Sequence, residues 1–401
     1  MLGGLISPDQ AVAQTDLQAE NQNGAVSMEQ IPGTSLFSRS PFRLDLAFDG
    51  GYDDNVNTND LNQKGSAFAD GQGTLSGKIG TERSNLTLNS MVQLIYFTDN
   101  VGIVNNPEIN SQFSLDAFHS VSRRLQLRAD LRAAYQQEPD FSANIGPNRR
   151  VGYFFNTDDS VSASFEWFQD FSTVTTARAR WVRYDDAIVG ALDNRVEGTI
   201  GEQFRYSLRR VVLVGEYRFE IIRYDTAPLD SNSHYLLGGI DYQVNRQMNV
   251  TIRGGATLRT YDQGATTTEP EAEGTLNYQI GRTSALSLNA RYGLEEPDVT
   301  FAFGTRTTFR VGLQLHQWLT AHIQAILTSY YTHDDNETLS NGPGVAVSQQ
   351  QNSYDVSGTL LYALNRRWAV HVNFERSGID SGLMGQNYTR DRYSAGFNLS
   401  F

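Results

Sequence analysis

The chain lacks cysteine altogether and contains only 10 prolines among its 401 residues. The absence of cysteine excludes a disulfide scaffold and every site built on thiolate ligands. No stretch approaches the roughly 20 apolar residues that a membrane-spanning helix needs, which excludes a helical membrane protein. Hydrophobic residues make up 39% of the chain, against about 45–50% in soluble globular domains. Two classes remain: a large soluble all-β protein, and a barrel that turns its apolar side chains outward.

Charge and motifs argue against two further classes of function. The net charge of −13 disfavours binding to nucleic acid through bulk charge, so we expect no nucleic-acid partner. The six histidines form no His-Glu-x-x-His motif, and no Gly-x-Ser-x-Gly nucleophile motif occurs. We therefore expect no enzymatic activity, no metal and no cofactor.

From Phe42 onward, apolar and polar residues alternate in segments of about ten residues. In one of these segments Leu125, Leu127 and Leu131 occupy one face, and Gln126 lies on the other. Strict alternation predicts β-strands. Soluble strands usually have about 5–6 residues, whereas tilted membrane strands have about 9–11. The pattern therefore favours strands that cross a membrane.

The connections between the predicted strands alternate between short and long. Short polar breaks fall near residues 81–83, 122–124, 169–170, 209–210, 245–246, 282–283, 317–318 and 365–367. Longer polar segments cover residues 53–66, 99–108, 137–150, 185–194, 225–232, 262–270, 295–304, 333–351 and 377–388. Short periplasmic turns and long extracellular loops are typical of outer-membrane barrels. We predict an all-β, transmembrane antiparallel β-barrel of about 18 strands, with 16 as the alternative, and with both chain ends on the tight-turn side.

The N-terminal part of the chain differs from the rest. Ala11-Val12-Ala13 before Gln14 has the small-residue pattern of a cleavage site, so residues 1–13 are interpreted as a signal-peptide remnant. Residues 14–40 are polar without periodicity and are expected to form a flexible periplasmic or lumen segment. Residues 41–401 form the predicted outer-membrane β-barrel.

The C-terminal strand alternates most regularly, with Tyr393, Phe397, Leu399 and Phe401 on one face. This pattern resembles the terminal strand of bacterial outer-membrane barrel proteins. The resemblance implies that these residues form an insertion signal for the outer-membrane barrel insertion machinery. It also implies the outer membrane of a Gram-negative-type bacterium as the location.

Aromatic and charged residues are sorted toward the two ends of the predicted strands. Tyrosines that include Tyr184 and Tyr224 are predicted to form the outer interfacial girdle. The tight turns are basic and the long loops acidic, which predicts contacts with outer-membrane lipid and lipopolysaccharide. The pairs assigned to acidic loops are Asp53-Asp54, Asp158-Asp159, Asp185-Asp186, Glu295-Glu296 and Asp334-Asp335. Among them, Asp53 and Asp54 are candidates for loop cation binding, with solubilising loops as the alternative.

If the apolar face meets lipid, the opposite face lines a lumen wide enough for water. The predicted lumen-lining channel residues are Arg128, Arg132, Arg178, Arg180, Arg205, Arg218, Glu216, Glu220, Arg253, Arg259, Arg291 and Arg310. Both signs are present, so the interior need not be strongly selective for anions or cations. Alternatively, these side chains pair across neighbouring strands and stabilise the barrel.

The first strand runs into the segment Tyr52-Asp53-Asp54-Asn55-Val56. This segment resembles the family called putative β-barrel porin 2, whose members are outer-membrane proteins associated in some cases with exopolysaccharide systems. The resemblance implies a porin-like channel for transport across the outer membrane, with exopolysaccharide export and periplasmic polysaccharide-export components as further expectations. The alternative function is a structural or adhesive surface barrel with acidic cation-binding loops.

Overall fold

The computed structural model describes residues 41–99, 106–137, 153–185, 194–297, 304–337, 348–382 and 387–401. Within these ranges the chain forms 18 β-strands. The strands are β1 (Phe42–Asp53), β2 (Ser66–Gly80), β3 (Ser84–Phe97), β4 (Glu108–Ser120), β5 (Leu125–Gln137), β6 (Tyr153–Phe168), β7 (Phe171–Tyr184), β8 (Arg195–Leu208), β9 (Val211–Tyr224), β10 (Ser231–Asn245), β11 (Met248–Tyr261), β12 (Thr266–Ile280), β13 (Ser284–Glu295), β14 (Thr305–Trp318), β15 (Ile323–Glu337), β16 (Ser348–Ala363), β17 (Trp368–Ser381) and β18 (Tyr388–Ser400). No helix in the described ranges is long and apolar enough to span a membrane.

Each strand pairs antiparallel with its neighbours in sequence, and β1 pairs with β18. The closing register runs from Asp45 opposite Ser400 to Asp53 opposite Arg392. At the periplasmic end, the Phe401 backbone N–H donates to the Leu44 carbonyl at 2.9 Å. Closure gives every strand two partners and leaves no open sheet edge. The predicted 18-stranded antiparallel barrel is confirmed.

The barrel is apolar outside and polar inside. On the outer face Ile200 is 54% exposed and Leu236 is 70% exposed. Arg253 and Arg259, on the inner face of β11, are each only 2% exposed. An apolar band on the outside suits contact with lipid. A barrel of this kind needs apolar residues on one face of each strand only, which accounts for the modest hydrophobic fraction.

Several connections predicted as long loops are shorter than expected, because the strands continue past the apolar band. The loop prediction for residues 262–270 is wrong, since β12 begins at Thr266 and contains Pro270. The pair Asp158-Asp159 lies within β6, and Asp334-Asp335 lies within β15. Beyond the apolar band both faces of a strand can be polar, so the alternation that marks a strand disappears from the sequence. Residues 1–40, which include the predicted signal remnant, lie outside the described part of the chain.

The prediction that Tyr184 and Tyr224 belong to an outer aromatic girdle is wrong. Both side chains face inward and are buried. Tyr184 packs with Phe154 and Val182, and Tyr224 packs with Ile222. Their position along the strand suggested an interface, but their parity in the alternation places them inside the barrel.

Candidate functional site: a charged belt inside the barrel

Arginines and carboxylates in mutual contact cover the inner face of β6 to β14. We call this set the charged belt; it consists of Asp158, Arg178, Arg180, Arg195, Glu197, Arg205, Glu216, Arg218, Glu220, Asp241, Arg253, Arg259, Glu271, Glu273, Arg291, Glu295, Arg306 and Arg310, with Glu296 in the following loop. Strand register builds the belt. Arg253, Glu273, Arg291 and Arg310 are directly opposite one another on four neighbouring strands. Because each of these residues points inward from its strand, together they form a continuous row of charged side chains around the inner wall.

Two parts of the belt are closely paired networks. The Arg218 guanidinium donates to both oxygens of Glu273, at 2.8 and 3.1 Å, and also to Glu216. The Asp241 carboxylate accepts from Arg205 and from Arg253, each at 2.6 Å. Charges that are removed from water need such pairing, because an unpaired buried ion is strongly destabilising. These networks hold the wall together.

A glycine makes room for one carboxylate of the belt. The Arg291 Nε–H donates to Glu271 Oε1 at 3.0 Å, and the Thr257 hydroxyl donates to Glu271 Oε2 at 3.1 Å. A Cβ atom at Gly293 would lie 2.0 Å from Glu271 Oε2. The absence of a side chain at this position therefore lets Glu271 reach its partners.

Side chains of the belt meet across the lumen. A small cavity of about 80 Å³ is lined by residues from strands between β7 and β14. β7 and β14 are seven positions apart around the barrel. Nevertheless Arg180 of β7 and Arg310 of β14 line the same small cavity. The belt therefore bridges the lumen and forms a constriction.

Positive charge is in excess at this constriction. The cavity is lined by seven arginines and four glutamates. Glu295 is shared by three arginines, with N···O distances of 3.9 Å to Arg291 and 3.4 Å to both Arg306 and Arg310. Arg180 lies 3.8 Å from Glu197, which already accepts a 2.8 Å hydrogen bond from Arg195. Asp158 and Glu271 also pair with two of the lining arginines, Arg178 and Arg291, so seven arginines face six carboxylates.

All twelve predicted lumen-lining residues lie on the inner face. Ten of them belong to the belt, while Arg128 and Arg132 lie beside it on β5, with Arg128 3.7 Å from Asp130. Sequence reasoning missed Arg195 and Arg306. Arg195 is the first residue of β8, and Arg306 is the second residue of β14. Too few strand residues precede them for the alternation to assign a face. The role of the twelve predicted lumen-lining residues in solute passage stays a prediction.

A second cluster of arginine and carboxylate closes the barrel. We call Asp53, Arg390 and Arg392 the seam cluster, because they join β1 to β18. Arg390 Nε donates to Asp53 Oδ2 at 2.8 Å, and Arg392 Nε donates to the same oxygen at 3.1 Å. The Asn55 backbone N–H donates to Asp53 Oδ1 at 3.1 Å. Asp53 is completely enclosed.

The segment that follows β1 extends this connection. The Asn55 side-chain amide donates to the Thr389 carbonyl at 2.8 Å, and Val56 packs in a cluster with Phe68, Ile95 and Phe97. Asp54 accepts a 2.7 Å bond from the Asp391 backbone N–H. The segment thus fastens the first loop across the closure of the barrel, which gives a physical reason for its sequence.

These contacts compete with cation binding at the predicted site of Asp53 and Asp54. Both carboxylates are engaged by protein donors. In the described part of the chain, no group of three or more histidine, aspartate or glutamate side chains is arranged to hold a metal ion. Cation binding by this pair stays a prediction, and the contacts assign Asp53 a structural role.

The predicted insertion signal lies on the outer face of β18. The ring of Phe397 packs against Phe48 and Trp368, with centroid distances of 5.4 and 5.8 Å. Tyr393 packs against Phe374 at 5.1 Å. The terminal strand therefore contributes aromatic contacts to both of its neighbours, and its recognition by the insertion machinery stays a prediction.

A closed barrel with an apolar exterior and a charged interior is the architecture of outer-membrane β-barrel proteins. Residues 42–401 match the family described as "Putative beta-barrel porin 2". The chain belongs to this family, which confirms the resemblance seen after the first strand. Its location is the outer membrane of a Gram-negative-type bacterium.

Solved structures with a similar barrel share little sequence with this chain. The outer membrane protein OpdK from Pseudomonas aeruginosa is 11% identical, with a TM-score of 0.43, and covers 90% of this chain and 99% of its own. OpdL from the same organism is 12% identical, with a TM-score of 0.43 and the same coverage. The siderophore receptor PirA from Acinetobacter baumannii is 8% identical, with a TM-score of 0.42, covering 90% of this chain and 81% of its own. The curated proteins contain no significant match to the chain.

Proposed function

We propose that this protein is a water-filled channel of the outer membrane whose charged belt favours the passage of anionic solutes. The observation that carries the proposal is the excess of arginine over glutamate at a constriction that bridges the lumen. Rings of arginine or lysine are the usual basis of anion preference in pores. Two unit charges about 4 Å apart interact by about 1 kcal/mol in water and by about 4 kcal/mol near a protein surface. A net charge of one or two is therefore enough to set selectivity.

The sharing of one carboxylate among several lining arginines supports a stepwise passage. Glu295 serves three guanidinium groups at distances beyond a short hydrogen bond. An entering carboxylate or phosphate can therefore compete with this shared carboxylate for one of the arginines. Conduction requires binding that is favourable enough for entry and weak enough for release. Several arginines in succession that share carboxylates meet both conditions.

Solutes of equal size and different charge test this proposal. The full chain reconstituted in liposomes is expected to admit gluconate faster than glucose, and glucose faster than glucosamine, in a swelling assay. Because the three solutes differ little in size, the order reports charge. An order led by glucosamine would contradict an anion-favouring constriction. Failure to admit any of the three would contradict a channel and favour a structural or adhesive barrel.

We further propose that the physiological cargo is an exopolysaccharide that carries acidic groups, delivered by periplasmic polysaccharide-export components. The family resemblance of the segment after β1 and the arginines of the constriction support this cargo, because carboxylated sugar units present the charge that arginine binds. Deletion of the gene in its native bacterium is expected to reduce extracellular polysaccharide. Reduced uptake of small anions with unchanged polysaccharide would indicate a diffusion porin.

A further inference from the structure

A row of uncharged polar side chains crosses five strands near the periplasmic end of the lumen. We call it the amide row; it consists of Gln243, Asn249, Asn277, Ser287 and Gln314. Each residue is directly opposite the next on neighbouring strands from β10 to β14. The same five strands carry part of the charged belt farther from the periplasm, so their inner faces change from neutral to charged along the channel.

The amide row borders a concave site. A cavity of about 270 Å³ is lined by the row together with Gln279, Ala285, His316 and further residues that include Arg246 in the β10–β11 turn. In the register, Ala285 lies directly between Gln279 and His316. The short side chain of Ala285 between these two longer side chains creates the space of the cavity. Its volume is close to the lower end of the range for small-molecule sites, about 300 Å³.

The lining of this cavity combines donors and acceptors without acidic charge. No carboxylate is among the residues that border it. Four of the five residues of the row, Gln243, Asn249, Asn277 and Gln314, have side-chain amides that border the cavity, as does Gln279. The cavity therefore places amide groups next to space that a ligand can fill.

We propose that this cavity is a binding site for one neutral, polyhydroxylated unit of a carbohydrate chain entering from the periplasm. Side-chain amides both donate and accept, as sugar hydroxyl groups do, so a row of amides matches vicinal hydroxyls. The absence of carboxylates disfavours a metal cation. The inference rests on the proposed function, because it names the part of the cargo that the entrance binds, whereas the belt meets acidic groups.

Equilibrium binding to the folded full chain in detergent micelles tests the site without requiring conduction. Saturation-transfer NMR is expected to detect binding of maltotetraose or cellotetraose. Ala285→Phe fills the cavity while keeping every amide and is expected to abolish binding. Asn249→Ala removes one amide from the lining and is expected to weaken binding roughly two- to tenfold, the range for one hydrogen bond. Gln112→Ala, on the opposite wall, is the matched control and should leave binding unchanged.

The outcomes separate this site from the channel itself. Undiminished binding in folded Ala285→Phe, or no binding of either oligosaccharide to the wild type, would overturn the site. Circular dichroism of each variant confirms that the barrel is folded. A barrel that conducts ions but binds no oligosaccharide overturns only the site. A barrel that binds both oligosaccharides but conducts nothing overturns only the channel.

Discussion

The seam cluster and the charged belt consist of the same residue types, arginine and carboxylate, but serve different functions. In the seam cluster two guanidinium groups converge on one oxygen of Asp53, which is fully enclosed. In the belt one carboxylate, Glu295, interacts with three arginines. About a third of the side chain of one of them, Arg291, remains exposed. Two arginines on one enclosed carboxylate stabilise the barrel, whereas a partly exposed arginine at the lumen can interact with a solute.

Solvent access differs within the belt. Arg291 and Glu273 are partly exposed, whereas Arg306 and Arg310 are more buried than the seam arginines. Removing one partner from an enclosed ion pair leaves an uncompensated charge and costs about 3–5 kcal/mol. Ion pairs that water reaches contribute about 0–1 kcal/mol. Substitutions in the seam cluster should therefore change stability, and substitutions at the constriction should change selectivity.

The largest effect on stability is expected for Asp53→Asn. The substitution leaves Arg390 and Arg392 without their shared carboxylate, so the free energy of unfolding should fall by about 3 kcal/mol. Urea unfolding in lipid vesicles measures this change. Asp60→Asn, an exposed position in the same loop, is the control and should be neutral. A stable Asp53→Asn barrel with altered ion selectivity would reverse the roles assigned to the two clusters.

Glu273→Gln is expected to act on both properties, because Glu273 pairs with Arg218 but water reaches it. Removing a negative charge from the lumen should raise the anion preference on the order of fivefold, the effect of about 1 kcal/mol. The loss of stability should be smaller than for Asp53→Asn. Ion permeability ratios and urea unfolding of one preparation measure both effects. A shift of the permeability ratio toward cations would contradict the role of the belt charges in ion selectivity.

Gly293→Ala should give the smallest effect. The new methyl group would displace Glu271 and loosen its bond to Arg291. Because a charge is moved and not removed, the permeability ratio should change by roughly twofold or less. Gly215→Ala is the control, since a Cβ there meets no atom within 4 Å. Equal effects of the two substitutions would show that the position of Glu271 is unimportant.

The sequence predicted the barrel because alternation and turn spacing are local signals. Parity along each strand likewise assigned residues such as Arg218 and Arg291 to the lumen. Contacts between strands are not local, so the sequence left open that Glu273 is opposite Arg291. The seam cluster joins Asp53 to Arg390 across 337 residues, and no spacing rule reports such a pair.

Strand ends were the other source of error. Where strands rise beyond the apolar band, both faces become polar and the alternation no longer identifies them. Asp158 was therefore assigned to a loop, although it lies in β6 and pairs with Arg178. Arg306 was overlooked because only one residue of β14 precedes it, too few for the alternation to assign a face.

The most direct test of an anion-favouring constriction is the zero-current potential of the full chain in a planar bilayer under a KCl gradient. The wild type is expected to pass chloride in preference to potassium. The double variant Arg180→Gln/Arg310→Gln should reduce the chloride-to-potassium permeability ratio at least fivefold, since each lost charge is worth about 1 kcal/mol. Arg183→Gln, on the outer face of β7, should match the wild type. A wild type that prefers potassium, or a double variant with an unchanged ratio, would contradict the role of the charged belt.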